Sequence, residues 1–271
     1  MFELENLDLL FVSLIFLLAG VVKGGIGIGL PTVSIGLMAL WLPFGQAMGI
    51  LVFPAVITNI WQAFFGTALK LIFRRFWDLM IWLFTGAFLG STFIVGINVS
   101  LLVAVLGLLL ILYASLSLSG KRFRVPVTRE KKLNPVIGII TGIISGVTAF
   151  FVLPIVPYLQ SIEFSKDANT LSNKEITNTH TTGELMTKDA LIQSFALCIL
   201  CLSGGMTLGL GLRGSLPISI IGPGVLGTAT AIIGMIIGRS IRNRLSIEVF
   251  RRCILIFLMG LGVVMVFRAI S

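Results

Sequence analysis

The stretch that most constrains this chain runs from Gly20 to Pro31, Gly-Val-Val-Lys-Gly-Gly-Ile-Gly-Ile-Gly-Leu-Pro, inside an apolar run from Phe11 to Leu42. As a single helix that run would be roughly 48 Å long at about 1.5 Å per residue, against a hydrocarbon core of about 30 Å. Glycine and proline interrupt helices, and Pro31 biases Leu30 away from helical geometry. The pattern predicts a broken helix over 10–42 that folds back on itself inside a membrane. Non-helical backbone at that depth persists only where protein buries it or where it lines a watery cavity. Lys23, placed at the break, is a candidate site on that ground alone.

The membrane setting follows from composition. Of 271 residues, 56% are hydrophobic and 11% charged, where a soluble domain is nearer a quarter charged. The start, Met-Phe-Glu-Leu-Glu-Asn-Leu-Asp, has no basic leader region and no small-residue cleavage site, so no removable signal peptide is expected. The net charge of +9 sits in short segments between apolar spans, which is how membrane topology distributes charge and does not indicate nucleic acid. Cys198, Cys201 and Cys253 lie in apolar spans, so neither a disulfide framework nor a zinc site is expected.

Eight apolar stretches are visible, at about 11–42, 46–69, 77–97, 99–119, 134–160, 190–211, 215–238 and 252–270. Most match the ~20 residues of one crossing. The stretches 11–42 and 134–160 differ, each being broken by Gly, Ser or Thr and then Pro. Segment 161–189, rich in Thr and Asn and holding the sole histidine, His180, reads as a mobile aqueous loop. Four basic clusters decide the topology, at 70–75, 121–132, 166–188 and 239–252. If all eight stretches cross once, eleven basic residues face one side and eight the other. If the two broken stretches are hairpins that return to their starting side, all four clusters, seventeen residues, share one side, with Arg213 and Arg268 opposite. The positive-inside rule selects the second arrangement, with both termini outside.

The fold expected is all-α and integral to the membrane: an inverted repeat, each half one broken, re-entrant-like helical hairpin plus three transmembrane helices. The first repeat spans 1–120, a basic cytoplasmic linker 121–133, and the second repeat 134–271 with the polar cytoplasmic loop 161–189. Gly20-Val-Val-Lys23-Gly24 is echoed by Gly142-Ile-Ile-Ser145-Gly146, Pro31 by Pro154, and Leu89-Gly90-Ser91 by Leu226-Gly227-Thr228. Inverted repeats with interrupted helices are typical of secondary transporters, whose substrate sits near the midplane between the breaks.

The hairpin tips are the first candidates for chemistry. Helix ends expose unpaired N–H groups with partial positive charge, so two tips meeting at mid-depth can hold an anion. Gly24, Gly25, Gly27 and Gly29 allow close approach, Pro31 follows, and Lys23 adds a full charge. An intramembrane lysine reads as functional by default; the competing reading is that it snorkels to headgroups. Ser145 and Thr148, before Pro154, offer hydroxyls at the second break. Polar residues inside apolar crossings come next: Thr58, Asn59 and Gln62, either substrate contacts or interhelical hydrogen bonds, and Ser203. The pairs Gly86/Gly90 and Gly224/Gly227 read as helix-packing glycines. Enzymatic readings fail, since Gly25-x-Gly27-x-Gly29 has no surrounding strand–helix unit and there is no Gly-Lys-Ser/Thr phosphate loop. No residues have metal-ligand spacing, and no cofactor is expected.

Ala-Gly-Val-Val-Lys-Gly-Gly-Ile-Gly-Ile-Gly-Leu-Pro, then Leu-Pro-Phe-Gly-Gln-Ala, then Phe-Pro-Ala-Val-Ile-Thr-Asn-Ile-Trp-Gln, resembles the TauE/SafE family of membrane permeases. The resemblance implies export of a small sulfur-containing anion such as sulfite or an organosulfonate, in the bacterial cytoplasmic membrane. It carries functional expectation onto Lys23, Gly24, Gly27, Gly29, Pro31 and Asn59. The chain departs from the family pattern after Thr148, where Ala149, Phe150 and Phe151 replace glycines, and at 168–189, which looks inserted. The leading expectation is therefore an alternating-access anion carrier, with the lipid bilayer and a small anion as partners and a proton or sodium ion open as coupling ion. A passive anion channel and a non-transporting interaction subunit are the competing readings.

Overall fold

The computed structural model describes residues 6–64, 68–93, 98–120, 125, 127–162, 188–214, 218–242 and 247–270. The predicted loop 161–189, His180 included, falls almost wholly outside them. The described residues form ten α-helices: α1 (Asn6–Ile26), α2 (Leu30–Met38), α3 (Phe44–Phe64), α4 (Leu69–Phe93), α5 (Val99–Leu118), α6 (Val127–Thr148), α7 (Ile155–Ser161), α8 (Lys188–Leu212), α9 (Ile221–Arg242) and α10 (Ile247–Ile270). Seven of them, α1, α3, α4, α5, α8, α9 and α10, are long and apolar enough to cross a membrane. Their outer faces are apolar too: Leu10, Leu14 and Leu18 make an exposed stripe along α1, and Trp77 and Ile81 are exposed on α4. Exposed apolar stripes of this kind are what a lipid-facing bundle presents.

Both broken stretches are interrupted where glycine, proline and hydroxyl residues fall. α1 stops because Gly27 and Gly29 take positive φ (90° and 107°), a conformation that costs glycine little. α2 then starts with Pro31 in its first turn, where the missing N–H is no loss. The chain doubles back: Trp41 Nε1 donates to Asp8 Oδ1 at 2.7 Å, and its ring lies 4.6 Å from that of Phe11. At the second break Ala149 takes a φ of 55° and Phe150 N–H is caught by Thr148 Oγ1 at 3.2 Å. The return limb again reaches the start of its partner helix, since Val125 N–H donates to Ser161 O at 2.8 Å and Tyr158 Oη to Asn134 Oδ1 at 2.6 Å.

Glycine sets the closest packing. A Cβ on Gly20 or Gly24 would lie 2.2 Å from the carbonyl oxygen of Ala231 or Met235, and one on Gly234 or Gly238 would meet Leu17 O or Val21 O at 2.2 and 2.1 Å. Two glycine pairs, each four residues apart, therefore bring α1 and α9 into backbone contact, running in the same direction. α4 and α6 meet in the same way through Gly86 and Gly90 against Gly142 and Gly146. Packing thus matches Gly86/Gly90 with Gly234/Gly238, whereas the sequence echo pairs Gly90 with Gly227, which instead faces the Phe16 ring. α5 and α10 pack antiparallel, Gly107 lying against Gly262 and Met265.

These directions fix which ends lie together. Gln193, near the start of α8, donates from Nε2 to Ala63 O at 2.6 Å and accepts from Ala68 N–H at 3.0 Å, which ties it to the α3–α4 turn. The starts of α4, α6, α8 and α10 and the ends of α3, α5 and α9 share one end of the bundle. There the described basic residues collect, including Arg74, Arg75, Arg129 and Arg251, while Arg213 and Arg268 belong to the opposite end. α6 begins at Val127, inside the segment expected to be linker, and carries Arg129, Glu130, Lys131 and Lys132 in its first turns.

Candidate functional site

The first break and α3 assemble the polar residues predicted there. Lys23 is only 2% exposed. Its Nζ donates to Asn59 Oδ1 at 2.8 Å and to Thr58 Oγ1 at 3.0 Å. Each acceptor is oriented by its own helix: Thr58 Oγ1 donates to Pro54 O at 2.5 Å, and Asn59 Nδ2 donates to Ala55 O at 2.6 Å. Their protons being committed, both oxygens are left to accept from the lysine. Gln62 Nε2 donates to Gly27 O at 3.0 Å, so the third polar residue of α3 holds the turn itself. Among the described residues no carboxylate pairs with Lys23. A buried cation held only by neutral oxygens carries a large electrostatic cost unless an anion comes near.

A cavity of about 530 Å³ is lined by Val22, Gly25, Ile26, Ile28, Gly29 and Thr32 around the break, by Val152, and by residues of α5, α7, α8 and α10; Lys23, Thr58, Asn59 and Gln62 are not among its lining residues. The α2 N-terminus opens on it. Gly29 provides no side-chain cap, and Val33 N–H is the first amide of α2 to find a backbone acceptor, at Gly29 O. The Leu30 and Thr32 amides are left without a protein acceptor among the described residues. Thr32 Oγ1 is fully buried and has no hydrogen-bond partner. An uncapped helix N-terminus and an idle hydroxyl suit an anion, and Lys23 adds a buried basic group on the helix that precedes the break. Arg251 and Gln160 also line the cavity. Thr32 and Arg251 escape the sequence reading: the threonine looks like an ordinary first-turn residue, and the arginine counts there only as topology charge.

The remaining candidates are placed differently. Gly24 packs against Met235 of α9 and faces no cavity. Gly25 and Gly29 line the cavity, Gly27 forms the turn against Ile192, and Pro31 sits in the first turn of α2. The two breaks do not meet at mid-depth, contrary to expectation. Gly27 is level with Gln62 near the end of α3, whereas Gly146 abuts Ala87 and Ser91 toward the far end of α4. α6 is long enough to carry its break past the middle of the bundle. There Ser145 Oγ donates to Phe150 O at 3.1 Å and Thr148 Oγ1 to Ile144 O at 2.7 Å, which occupies both hydroxyls locally. Pro154 immediately precedes α7. Ser203 Oγ is buried and unpartnered on α8. Among the described residues, no hydrogen bond joins these four to the first break. What the second hairpin brings to the cavity is Val152, at its break, and Gln160, on its return limb.

One polar chain lies outside the predicted set. Arg75 meets Glu130 through two bonds of 3.0 and 2.7 Å, and Asn134 Nδ2 donates to the Asp78 carboxylate at 3.0 and 2.8 Å while its Oδ1 accepts from Tyr158. Asp78 lies well inside α4. The network ties α4, α6 and α7 together at the basic end. No group of three or more metal-ligating side chains occurs among the described residues.

Seven apolar spans around a buried lysine and an interrupted helix define a multi-pass membrane protein with a site suited to an anion. The chain belongs to the TauE/SafE sulfite exporter family, which it matches over residues 12–265. It is thus a membrane transporter of the sulfite- and sulfonate-type anion family, and not an enzyme. No curated protein and no solved structure matches it.

Proposed function

We propose that this chain is a carrier that moves a small anion, sulfite or an organosulfonate, out across the bacterial cytoplasmic membrane by alternating access. The observation that carries the reading is the uncapped α2 N-terminus with the unpartnered Thr32 hydroxyl at the cavity, preceded in the chain by the buried Lys23, which pairs with no described carboxylate. In this reading the anion's oxygens accept from the Leu30 and Thr32 amides and from Thr32 Oγ1. Lys23 supplies field from behind the break, while Thr58 and Asn59 hold it in place. Gly25, Gly27 and Gly29 let the ligand reach backbone, and Ser145, Thr148, Pro154 and Ser203 form the corresponding break of the second half.

The architecture proposed is an inverted repeat over 1–120 and 134–271. Two observations support it: the first helix of each hairpin packs on a helix of the other half, α1 on α9 and α6 on α4, and both hairpins return to where they began. The basic end then faces the cytoplasm and both termini face outward. An inside-negative membrane potential drives a monoanion outward by about 2.3 kcal/mol per 100 mV, so export requires no coupling ion. That suits a break at which no described carboxylate waits for a proton or sodium.

The test is uptake of labelled sulfite and of ethanesulfonate into inside-out proteoliposomes, for wild type, Thr32→Val and Lys23→Ala. Losing a charge-assisted hydrogen bond worth about 1.5–3 kcal/mol raises KM roughly 10- to 100-fold in Thr32→Val. Unchanged KM in both variants, with folded protein, would remove the anion from this break.

A further inference from the structure

The cavity beside the first break is much larger and more apolar than an inorganic oxyanion requires. We infer that the transported anion carries a hydrocarbon portion of several carbons, with its charged head at the α2 N-terminus and its tail along the apolar wall. This inference rests on the anion-carrier reading above and narrows its substrate class.

Size is the first argument. Sulfite has four heavy atoms, and even at the roughly 30 Å³ that a liquid water occupies, four such atoms take about 120 Å³. The cavity holds about 530 Å³. Water in the surplus is poorly held wherever the wall gives it fewer than the two to four polar partners that a bound water takes. The wall offers few. Val152, Phe195, Leu255 and Leu258 are all buried and apolar, and they come from three separate segments of the chain. The polar groups lie instead at Gly29 to Thr32 and, toward the basic end, at Tyr113, Gln160 and Arg251. A mostly apolar pocket with a few convergent polar groups is the form that organic ligands fill.

The second hairpin strengthens the case. Its break has Ala149-Phe150-Phe151-Val152 where glycines would have exposed more backbone, and the break itself contributes the Val152 side chain to the cavity. The second break thus adds hydrocarbon surface, and the donors of the second half that line the cavity, Gln160 and Arg251, come from α7 and α10. Arg251 provides charge that a single head group can use from the same space.

The experiment is competition in proteoliposomes containing the full-length protein, with protein-free liposomes as blank. Unlabelled methane-, ethane-, butane- and hexanesulfonate and sulfite compete against labelled ethanesulfonate uptake. The half-inhibitory concentration is expected to fall about fourfold per added methylene until the tail fills the cavity, leaving sulfite the weakest competitor. Arg251→Gln should weaken every member by the same factor and keep the slope, whereas Phe195→Ser should flatten the slope. A flat wild-type series, or sulfite as the strongest competitor, overturns the inference and leaves the anion carrier standing. If no anion shows saturable uptake, both readings fall.

Discussion

Replacing Asn59 tests how the break is held. Lys23 Nζ has two protein acceptors among the described residues, at 2.8 and 3.0 Å, and Asn59→Leu removes the shorter contact with little change in volume. A hydrogen bond to a charged group is worth about 1.5–3 kcal/mol, and the ammonium stays buried with Thr58 alone. Lys23→Met makes the complementary loss and leaves the fully buried Asn59 Oδ1 unpaired, at about 1–3 kcal/mol. The double variant leaves neither orphan. Its destabilisation should fall short of the sum of the single effects by about 1.5–3 kcal/mol, the coupling energy of the pair. Equilibrium unfolding in mixed micelles titrated with dodecyl sulfate, followed by tryptophan fluorescence, gives all four stabilities. Additivity to within about 0.5 kcal/mol would show that the two residues do not hold each other.

Four other substitutions probe separate parts of the structure. Gly24→Val places methyls where a Cβ already lies 2.2 Å from Met235 O, and overpacking of about 1–3 kcal/mol should lower thermal stability in detergent. Gly45→Ala, with nothing within 4 Å of the new atom, should change it by less than about 0.5 kcal/mol. Gly29→Ala forces a φ of 107° on a residue with a Cβ, which should cost about 1–2 kcal/mol and reduce uptake as the Leu30 and Thr32 amides turn away. Gln193→Leu strands Ala63 O and Ala68 N–H, which should destabilise by about 1–3 kcal/mol and speed hydrogen exchange at the Ala68 amide.

The residues legible in advance were those whose chemistry conflicts with their neighbours. Glycines and a proline inside an overlong apolar run mark a break whatever they pack against, and Thr58, Asn59 and Gln62 stand out in an apolar helix. All three do reach the first break. What sequence could not supply is which face of a helix meets which neighbour. Gly24 reads as a ligand contact because it adjoins Lys23, yet helix geometry turns it onto α9 beside Met235. Thr32 becomes notable only through the partner it lacks, a tertiary property. The Asp78–Asn134–Tyr158 chain links residues 56 and 24 positions apart, distances at which no local pattern signals contact. The offset of the two breaks was hidden for a similar reason, since α6 starts seven residues before the expected 134 and its length decides where its break falls.

The central claim is that an anion binds at the α2 N-terminus, and the most direct measurement is a structure with 2-bromoethanesulfonate bound, the halogen located by anomalous scattering. The account predicts the sulfonate against the Leu30 and Thr32 amides and Thr32 Oγ1, with bromine against the apolar wall near Val152 or Leu258. Density confined to the second break, or to surface arginines at the basic end, would contradict it.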